Sequence, residues 1–368
     1  MKVLLIQPNS TKHVNKEFES LQYPLNLGLI AAVLIRADHD VKLIDLNVMD
    51  SKKLLDYVME YSPDVVGVTA MTSTITRAKE IITQIKNYNG HIITVLGGVH
   101  ASALPVKTME EIDKLDYLVF GEGEVTIVEL LASLKGDISR VDGVVYREGT
   151  RIIKNKSRAL IKDLDTIPYP PRDLVPMELY TKHHVTRGFS RENYKIIEII
   201  TSRGCPNQCI YCAGHINYGN TMRFRSYENV IGEIDACIEK YGINHVSIED
   251  DTFTYKKELV TKLCAYFKKN NITWNCYARV NTVNYYLLKL MADSGCKKIS
   301  FGVESGSEII LKKIKKHITI SQVIEAITSA KKAGIRYIEI SVILGSYPDE
   351  TLADVKKTED IINKIVNQ

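Results

Sequence analysis

The sequence predicts an α/β protein in two parts, a doubly wound parallel sheet followed by a partial parallel β/α barrel. Three observations carry that prediction. Short β-branched runs alternate with helical patterns twice, over 1–135 and again over 193–368. A stretch with turn and proline signals, 136–192, separates the two series. The second series places a loop with three cysteines directly after its first strand, at the end where such a barrel forms its active site.

In the first series the strands fall at Val3–Ile6, Val41–Ile44, Val65–Val68, Ile92–Val95 and Tyr117–Phe120. Between them, Leu25–Ile35, Leu54–Tyr61 and Ile75–Ile85 carry apolar residues at three- and four-residue spacing, the period of a helix with one buried face. Such alternation implies a parallel sheet covered on both faces. Five strands connected this way predict the flavodoxin-like order of a Rossmann-type domain, with a ligand over the carboxyl ends of the first and third strands. The loops at those ends are Gln7–Ser10, Thr69–Thr74, Gly97–His100 and Gly121–Glu124. Their small and hydroxyl residues let backbone approach a large flat ligand, although glycine is also the ordinary residue of a βα turn.

Residues 136–192 read as a connector. Val144–Tyr146 and Arg151–Ile153 flank Glu148-Gly149-Thr150 as a hairpin, and Ile167-Pro168-Tyr169-Pro170-Pro171 is extended and stiff, suited to wrapping between domains. The second series has strands at Ile196–Ile200, His245–Glu249, Trp274–Ala278, Lys298–Val303 and Tyr337–Ile343. Helical patterns occupy 228–241, 256–269, 284–293, 320–333 and 350–366. A fifth strand with only a helix after it leaves a parallel edge open. The expectation is a fragment, or an edge completed by another element.

Composition bounds the function classes. Apolar residues make up 45% and charged residues 25%, as in a soluble globular protein with ample core material. No apolar run reaches bilayer length, and the opening Met-Lys-Val-Leu-Leu-Ile reads as a strand without a cleavage region. The net charge is only +4, and the one basic cluster, Lys312, Lys313, Lys315 and Lys316, reads as a solvated helix end. Nothing there points to nucleic acid. Of seven cysteines, Cys237, Cys264, Cys276 and Cys296 sit in or beside apolar periodic segments and read as small buried hydrophobes, which suits a reducing cytoplasm.

The other three, Cys205, Cys209 and Cys212, stand in Thr-Ser-Arg-Gly-Cys-Pro-Asn-Gln-Cys-Ile-Tyr-Cys. Three thiolates in one loop hold three irons of a [4Fe–4S] cluster and leave the fourth open to a small ligand. Catalysis needs such an open position, whereas structural sites are normally closed. Two plainer readings compete: a Cys3His zinc site completed by His215, and three cysteines buried for packing. Zinc sites favour paired CxxC units, and Gly204 and Pro206 mark a turn instead of an apolar face.

Polar residues gather just past the other barrel strands. Glu249-Asp250-Asp251 closes the second, Arg279 the third, and Gly302-Val303-Glu304-Ser305 the fourth, while Gly345 to Glu350 follow the fifth. Each alone suits a helix cap or a surface charge, Ser305 and Asp349 especially. Together around one metal loop they supply the acceptors and the cation that a zwitterionic ligand requires.

The Cys-x3-Cys-x2-Cys spacing, with Tyr211 before the last cysteine, resembles the signature of the radical S-adenosylmethionine (SAM) enzymes. The whole chain resembles their cobalamin (B12)-binding subfamily. In the first part the matching stretches are Tyr23 to Ala32, Gly97-Gly98-Val99-His100 and Gly121-Glu122-Gly123-Glu124. In the second they are the cysteine loop, Arg225 to Val230, Glu249 to Phe253, and Phe301 to Gly306. The resemblance implies that the three cysteines ligate the cluster and that its open iron chelates the amine and carboxylate of SAM. It places Tyr211, Glu249, Asp250, Asp251, Arg279, Glu304 and Ser305 around SAM. Glu249 to Asp251 would meet the amino group, Arg279 the carboxylate and Glu304 the ribose. It places cobalamin against Pro8, Asn9, Leu27, Thr69, Met71, Thr72, Gly97, Gly98, His100, Gly121, Glu122 and Gly123.

Two departures from the family pattern matter. No Asp-x-His-x-x-Gly follows the first strand, so cobalamin is expected without a histidine below cobalt; His13 and His100 read as loop histidines. The segment Leu344 to Glu350 lacks the Leu-Pro-Gly-Glu of relatives, and radical SAM cores have at least six strands where this chain offers five. The implied activity is reductive cleavage of SAM to a 5′-deoxyadenosyl radical, used for cobalamin-dependent methylation of an unactivated carbon. A flavodoxin or ferredoxin would supply electrons, and the substrate would be a small or lipid-like molecule. Ring formation without methyl transfer, and an iron–sulfur protein that only carries electrons, are the alternatives.

Overall fold

The apolar runs of the first series become strands and the periodic segments become the helices that cover them. A computed structural model describes residues 1–9, 21–183 and 194–366. His13, Ser10 and residues 184–192 of the expected connector lie outside the described residues. The chain divides into two compact units, Met1–Val185 with Ile216–Tyr218, and Thr186–His215 with Gly219–Gln368.

The first unit runs β1 (Lys2–Gln7), α1 (Leu25–Arg36), β2 (Asp40–Asp45), α2 (Leu54–Tyr61), β3 (Val65–Thr69), α3 (Ile75–Tyr88) and β4 (Ile93–Gly97). Short helices α4 (Val99–Ala103) and α5 (Pro105–Glu111) lead to β5 (Tyr117–Val119) and α6 (Gly123–Ser133). The hairpin β6 (Val144–Glu148) and β7 (Arg151–Lys154) follows. The sheet order is β2-β1-β3-β4-β5-β6-β7, and its first five strands are parallel in the flavodoxin-like order expected. Leu4, Ile6, Val66, Val68 and Leu96 on one face pack against Leu54, Val58, Ala78, Ile81 and Ile85 of α2 and α3.

The hairpin corrects the expected connector. β6 pairs antiparallel with β5, so residues 144–154 extend this sheet and satisfy the edge that a three-residue strand would leave open. More of the segment is tied to the same unit. Glu122 Oε2 accepts from Ile161 N at 2.8 Å. In α7 (Met177–His183) the buried Tyr180 hydroxyl donates to Asp45 Oδ2 at 2.8 Å.

The second unit begins with β8 (Ile196–Ile199) and the two-residue strand β9 (Ser202–Arg203). After the short helix α8 (Gly214–Tyr218) come β10 (Arg223–Phe224), α9 (Tyr227–Tyr241), β11 (His245–Ile248), α10 (Lys257–Lys269), β12 (Thr273–Ala278) and α11 (Tyr285–Asp293). β13 (Cys296–Glu304), α12 (Glu308–Lys313), α13 (Ile320–Ala333), β14 (Tyr337–Val342) and α14 (Leu352–Val366) complete it. Its sheet, β14-β13-β12-β11-β8, is wholly parallel, as in part of a β/α barrel. Cys237, Cys264, Cys276 and Cys296 are buried among these elements as expected, and burial pushes the Cys264 thiol up to about 12. No helix among the described residues is long and apolar enough to cross a membrane.

The last helix docks through polar contacts. Ser307 Oγ donates to Asp354 Oδ1 at 2.6 Å, Thr351 Oγ1 to Asp354 Oδ2 at 2.7 Å, and Gly306 N to Thr358 Oγ1 at 2.8 Å. The Ser307 hydroxyl first, then Thr351, hold the Asp354 carboxyl well below the usual carboxylate range. Because its folded value is depressed, this carboxylate stabilises the fold above the unfolded value of about 4 and stops doing so as pH falls through the folded value. Thermal unfolding followed against pH should therefore show a steeper acid limb for the wild type than for Asp354→Asn. Identical limbs would refute the assignment.

Candidate functional site

The site is built from the end of β8 outward. Arg225 ties that end to α9, donating from Nη1 to Ile200 O at 2.9 Å and to the buried Glu233 Oε2 at 2.6 Å. Asp250, just past β11, accepts from Thr201 N, Thr201 Oγ1 and Ser202 Oγ, each at 2.6 Å. β9 and β10 then pair antiparallel and close the base of the cysteine loop.

Each of the three loop sulfurs accepts an N–H. Asn207 Nδ2 lies 3.2 Å from Cys205 Sγ, Arg279 Nη1 3.8 Å from Cys209 Sγ, and Gly214 N 3.4 Å from Cys212 Sγ. N–H donors to sulfur are what a cluster's ligating thiolates use to spread their charge. Burial, with Asp251 and the neighbouring sulfurs adding to it, raises the Cys212 thiol, while the Gly214 N–H opposes the shift. A coordinating metal overrides such a shift and keeps the thiol deprotonated. Among the described residues no three His, Cys, Asp or Glu side chains are grouped as a single ion demands. Three thiolates in one loop, each with an N–H donor, fit a cluster that keeps one iron open.

All three cysteines line a cavity of about 360 Å³ at the carboxyl ends of the strands. Of the residues expected around SAM, Tyr211, Glu249, Asp251, Arg279 and Glu304 share it. Ser247 Oγ donates to Glu249 Oε1 at 2.5 Å and orients that carboxylate. Two expectations are corrected. Asp250 borders the cavity, but its oxygens are taken up by Thr201 and Ser202, so it positions the loop and does not present a free carboxylate to a ligand. Ser305 is fully buried away from the cavity, its hydroxyl accepting from Ser307 N at 3.1 Å beside α14. The segment after β14 also stays off the cavity; Ser346 N donates to Glu350 Oε2 at 2.9 Å and closes a turn, while Asp349 accepts from Lys313 Nζ at 3.0 Å.

A further correction concerns Lys316. Far from being a solvated helix end, it is 5% exposed and lines the cavity. Its Nζ donates to Glu304 Oε1 at 2.8 Å and to the Tyr211 hydroxyl at 3.1 Å. Arg279 Nη2 donates to its backbone carbonyl. Burial first, then the charges of Glu304 and Cys209, drive the Tyr211 hydroxyl far up. Gly302 makes room for the pair: a Cβ there would collide with Glu304 Oε1 and lie 2.7 Å from Lys316 Nζ. No local pattern marks Lys316, because with Lys312, Lys313 and Lys315 just before it the segment reads as a polar helix end.

In the first unit, a groove of about 220 Å³ opens at the carboxyl ends of β3, β4 and β5. Of the residues expected around cobalamin, Leu27, Thr69, Met71, Gly97, Gly98, Gly121, Glu122 and Gly123 line it. Gly98 has φ +99°, and a Cβ there would lie 2.6 Å from Ala70 O, so only glycine lets the two strand ends come this close. Pro8, Asn9, Thr72 and His100 do not line it. Asn9 Oδ1 instead accepts from Arg77 Nε at 3.1 Å, and the buried His100 Nδ1 lies 3.1 Å from Thr72 Oγ1. The groove also uses residues that the loops did not advertise, Leu5, Asn26, Ile30, Gly67, Val95 and Ile127, which belong to strands and helices whose apolar pattern reads as core.

Fold and site together define a class: two-domain α/β enzymes with an iron–sulfur loop at the mouth of a parallel partial barrel. The B12 binding domain family matches residues 11–131 and the Radical SAM superfamily residues 199–362. An uncharacterized methyltransferase of Pyrococcus horikoshii is 35% identical over 374 residues, covering 99% of this chain and 78% of that protein. Cytidylyl-2-hydroxyethylphosphonate methyltransferase of Streptomyces wedmorensis is 26% identical, covering 94% and 73%. The structure of OxsB, a cobalamin-dependent SAM radical enzyme solved with aqua-cobalamin and SAM, superposes with a TM-score of 0.82 at 22% identity. That match covers 98% of this chain and 51% of OxsB, so the chain spans about half the length of that protein. The chain belongs to the B12-binding-domain family of radical SAM enzymes.

Proposed function

We propose that this enzyme methylates an unactivated carbon of a small or lipid-like molecule, with SAM and a cobalamin as cofactors. The observation that carries the reading is the cavity in which three N–H-supported sulfurs face Tyr211, Glu249, Arg279 and Glu304. When bound, a [4Fe–4S] cluster supplies the electron that splits SAM into methionine and a 5′-deoxyadenosyl radical, and cobalamin supplies a methyl carrier.

The chain's own residues do the rest. Cys205, Cys209 and Cys212 hold three irons and leave one open. Arg279 offers a cation to the carboxylate of SAM, Glu249 and Asp251 offer acceptors to its amine, and Glu304 an acceptor to its ribose. The groove is lined by Gly97, Gly98 and Gly121, whose lack of a side chain would let backbone approach a large flat ligand such as a corrin. Electrons come from a flavodoxin or ferredoxin in a reducing cytoplasm.

Anaerobic protein reconstituted with iron, sulfide and hydroxocobalamin tests the proposal. Dithionite and SAM are expected to yield 5′-deoxyadenosine, and the desalted protein is expected to retain corrin absorbance. Absent 5′-deoxyadenosine would leave an iron–sulfur carrier. 5′-Deoxyadenosine without retained corrin would replace methyl transfer by a cyclisation on the same architecture.

A further inference from the structure

Lys316 is held in place by more geometry than a structural ion pair needs. Its flanking residues, Lys315 and His317, both adopt left-handed backbone, with φ of 54° and 53°. Its partner Glu304 does so too, at φ 69°, where the register of β13 against β14 shifts between Gly302 and Glu304. Three non-glycine residues in this region, around one ion pair, are a concentration of strain of the kind found at functional sites. Lys316 and Glu304 are 5% and 6% exposed, so the charges interact with little screening by water.

The pair also faces the cysteine loop. Lys316 Nζ touches the hydroxyl of Tyr211, which stands in the chain between Cys209 and Cys212, and lies 5.8 Å from its ring centre. Through its carbonyl Lys316 receives Arg279, whose other Nη points to the Cys209 sulfur. One guanidinium thus bridges a ligand sulfur and the Lys316 backbone.

Resting on the function proposed above, we infer that Arg279 and Lys316 form a cationic clamp that sets the reduction potential of the cluster, with Glu304 as its counterweight. Lys316 is a positioning residue here; Arg279, which also offers its cation to the SAM carboxylate, acts on the potential through its charge beside the Cys209 sulfur. A one-electron donor of the flavodoxin or ferredoxin class adds one negative charge to the cluster without making or breaking a covalent bond. A nearby cation favours the state that carries the extra negative charge, and a nearby carboxylate disfavours it. The clamp therefore makes the cluster easier to reduce before SAM arrives.

The test is an EPR-monitored redox titration of anaerobically reconstituted protein without SAM, after iron, sulfide and thermal unfolding have been measured. Lys316→Met is expected to move the midpoint to more negative potential and Glu304→Gln to less negative potential. Lys316→Arg should stay near wild type, and the double variant K316M/E304Q should return most of the way. A merely structural pair would lower unfolding temperatures without shifts of opposite sign. If Lys316→Met loses its iron, Glu304→Gln decides alone: a midpoint that stays or falls overturns the clamp. A wild-type protein that takes up no iron and sulfide overturns the proposed function itself. A wild-type cluster whose midpoint ignores both substitutions overturns only the clamp.

Discussion

Anaerobic reconstitution of Cys209→Ala is expected to leave protein with the cluster's visible absorbance abolished and 5′-deoxyadenosine formation at background. Cys209 is the most buried of the three loop cysteines, at 6% exposure, and its sulfur is the one that receives the Arg279 guanidinium. With two protein ligands left, two irons of a cubane lack a thiolate instead of one. Cys264→Ala is the control, since that thiol is 1% exposed within the second unit and raised by burial to about 12, a packed hydrophobe without thiolate character. Its iron and sulfide content should match wild type. Unchanged iron in Cys209→Ala, or a lost cluster in Cys264→Ala, would show that the ligands are assigned wrongly.

Asp250→Ala should produce the largest loss of stability without touching a cluster ligand. It removes the common acceptor of Thr201 N, Thr201 Oγ1 and Ser202 Oγ from a site only 2% exposed. Stranding a buried donor costs about 1–3 kcal/mol, and because the two hydroxyls can turn to other acceptors the total is expected at about 3–5 kcal/mol, below the full sum for three donors. Burial raises the Asp250 carboxyl, and its three donors work against that shift. Asp250→Asn should cost less, because its carbonyl still accepts and the Thr201 and Ser202 hydroxyls can turn to accept from its amide. Thermal or urea unfolding of the three proteins reads the order directly. An alanine variant that melts with wild type would mean that the three contacts contribute nothing net.

These predictions rest on features that were legible to different degrees. The strands of both sheets fall within a residue or two of where apolar runs place them, and α2 matches its predicted span, Leu54–Tyr61. Periodicity is a local property, and burial of one face enforces it. The cysteine loop was legible for the same reason: eight consecutive positions carry the whole donor set. Sequence position misled at Ser305, which stands beside Glu304 but off the cavity, and it did not show that Asp250, at the cavity wall, spends its oxygens on Thr201 and Ser202. At a strand end the side chain alternates direction, and its partner on a neighbouring segment decides whether it meets ligand or protein. The hairpin at 144–154 was recognised as a hairpin, but nothing local told that its partner would be the edge of β5.

By itself, then, the sequence determined the order of elements, the metal loop and the family, because each is written in residues close together along the chain. Only the tertiary structure decided which charges face the cavity. Lys316 meets Glu304 across 12 residues, Arg279 across 37 and Tyr211 across 105. A lysine in a run of lysines becomes a buried cation when distant backbone turns it inward and an acceptor awaits it there. The energy of that arrangement lies in low-dielectric contact between remote segments, which no local pattern records.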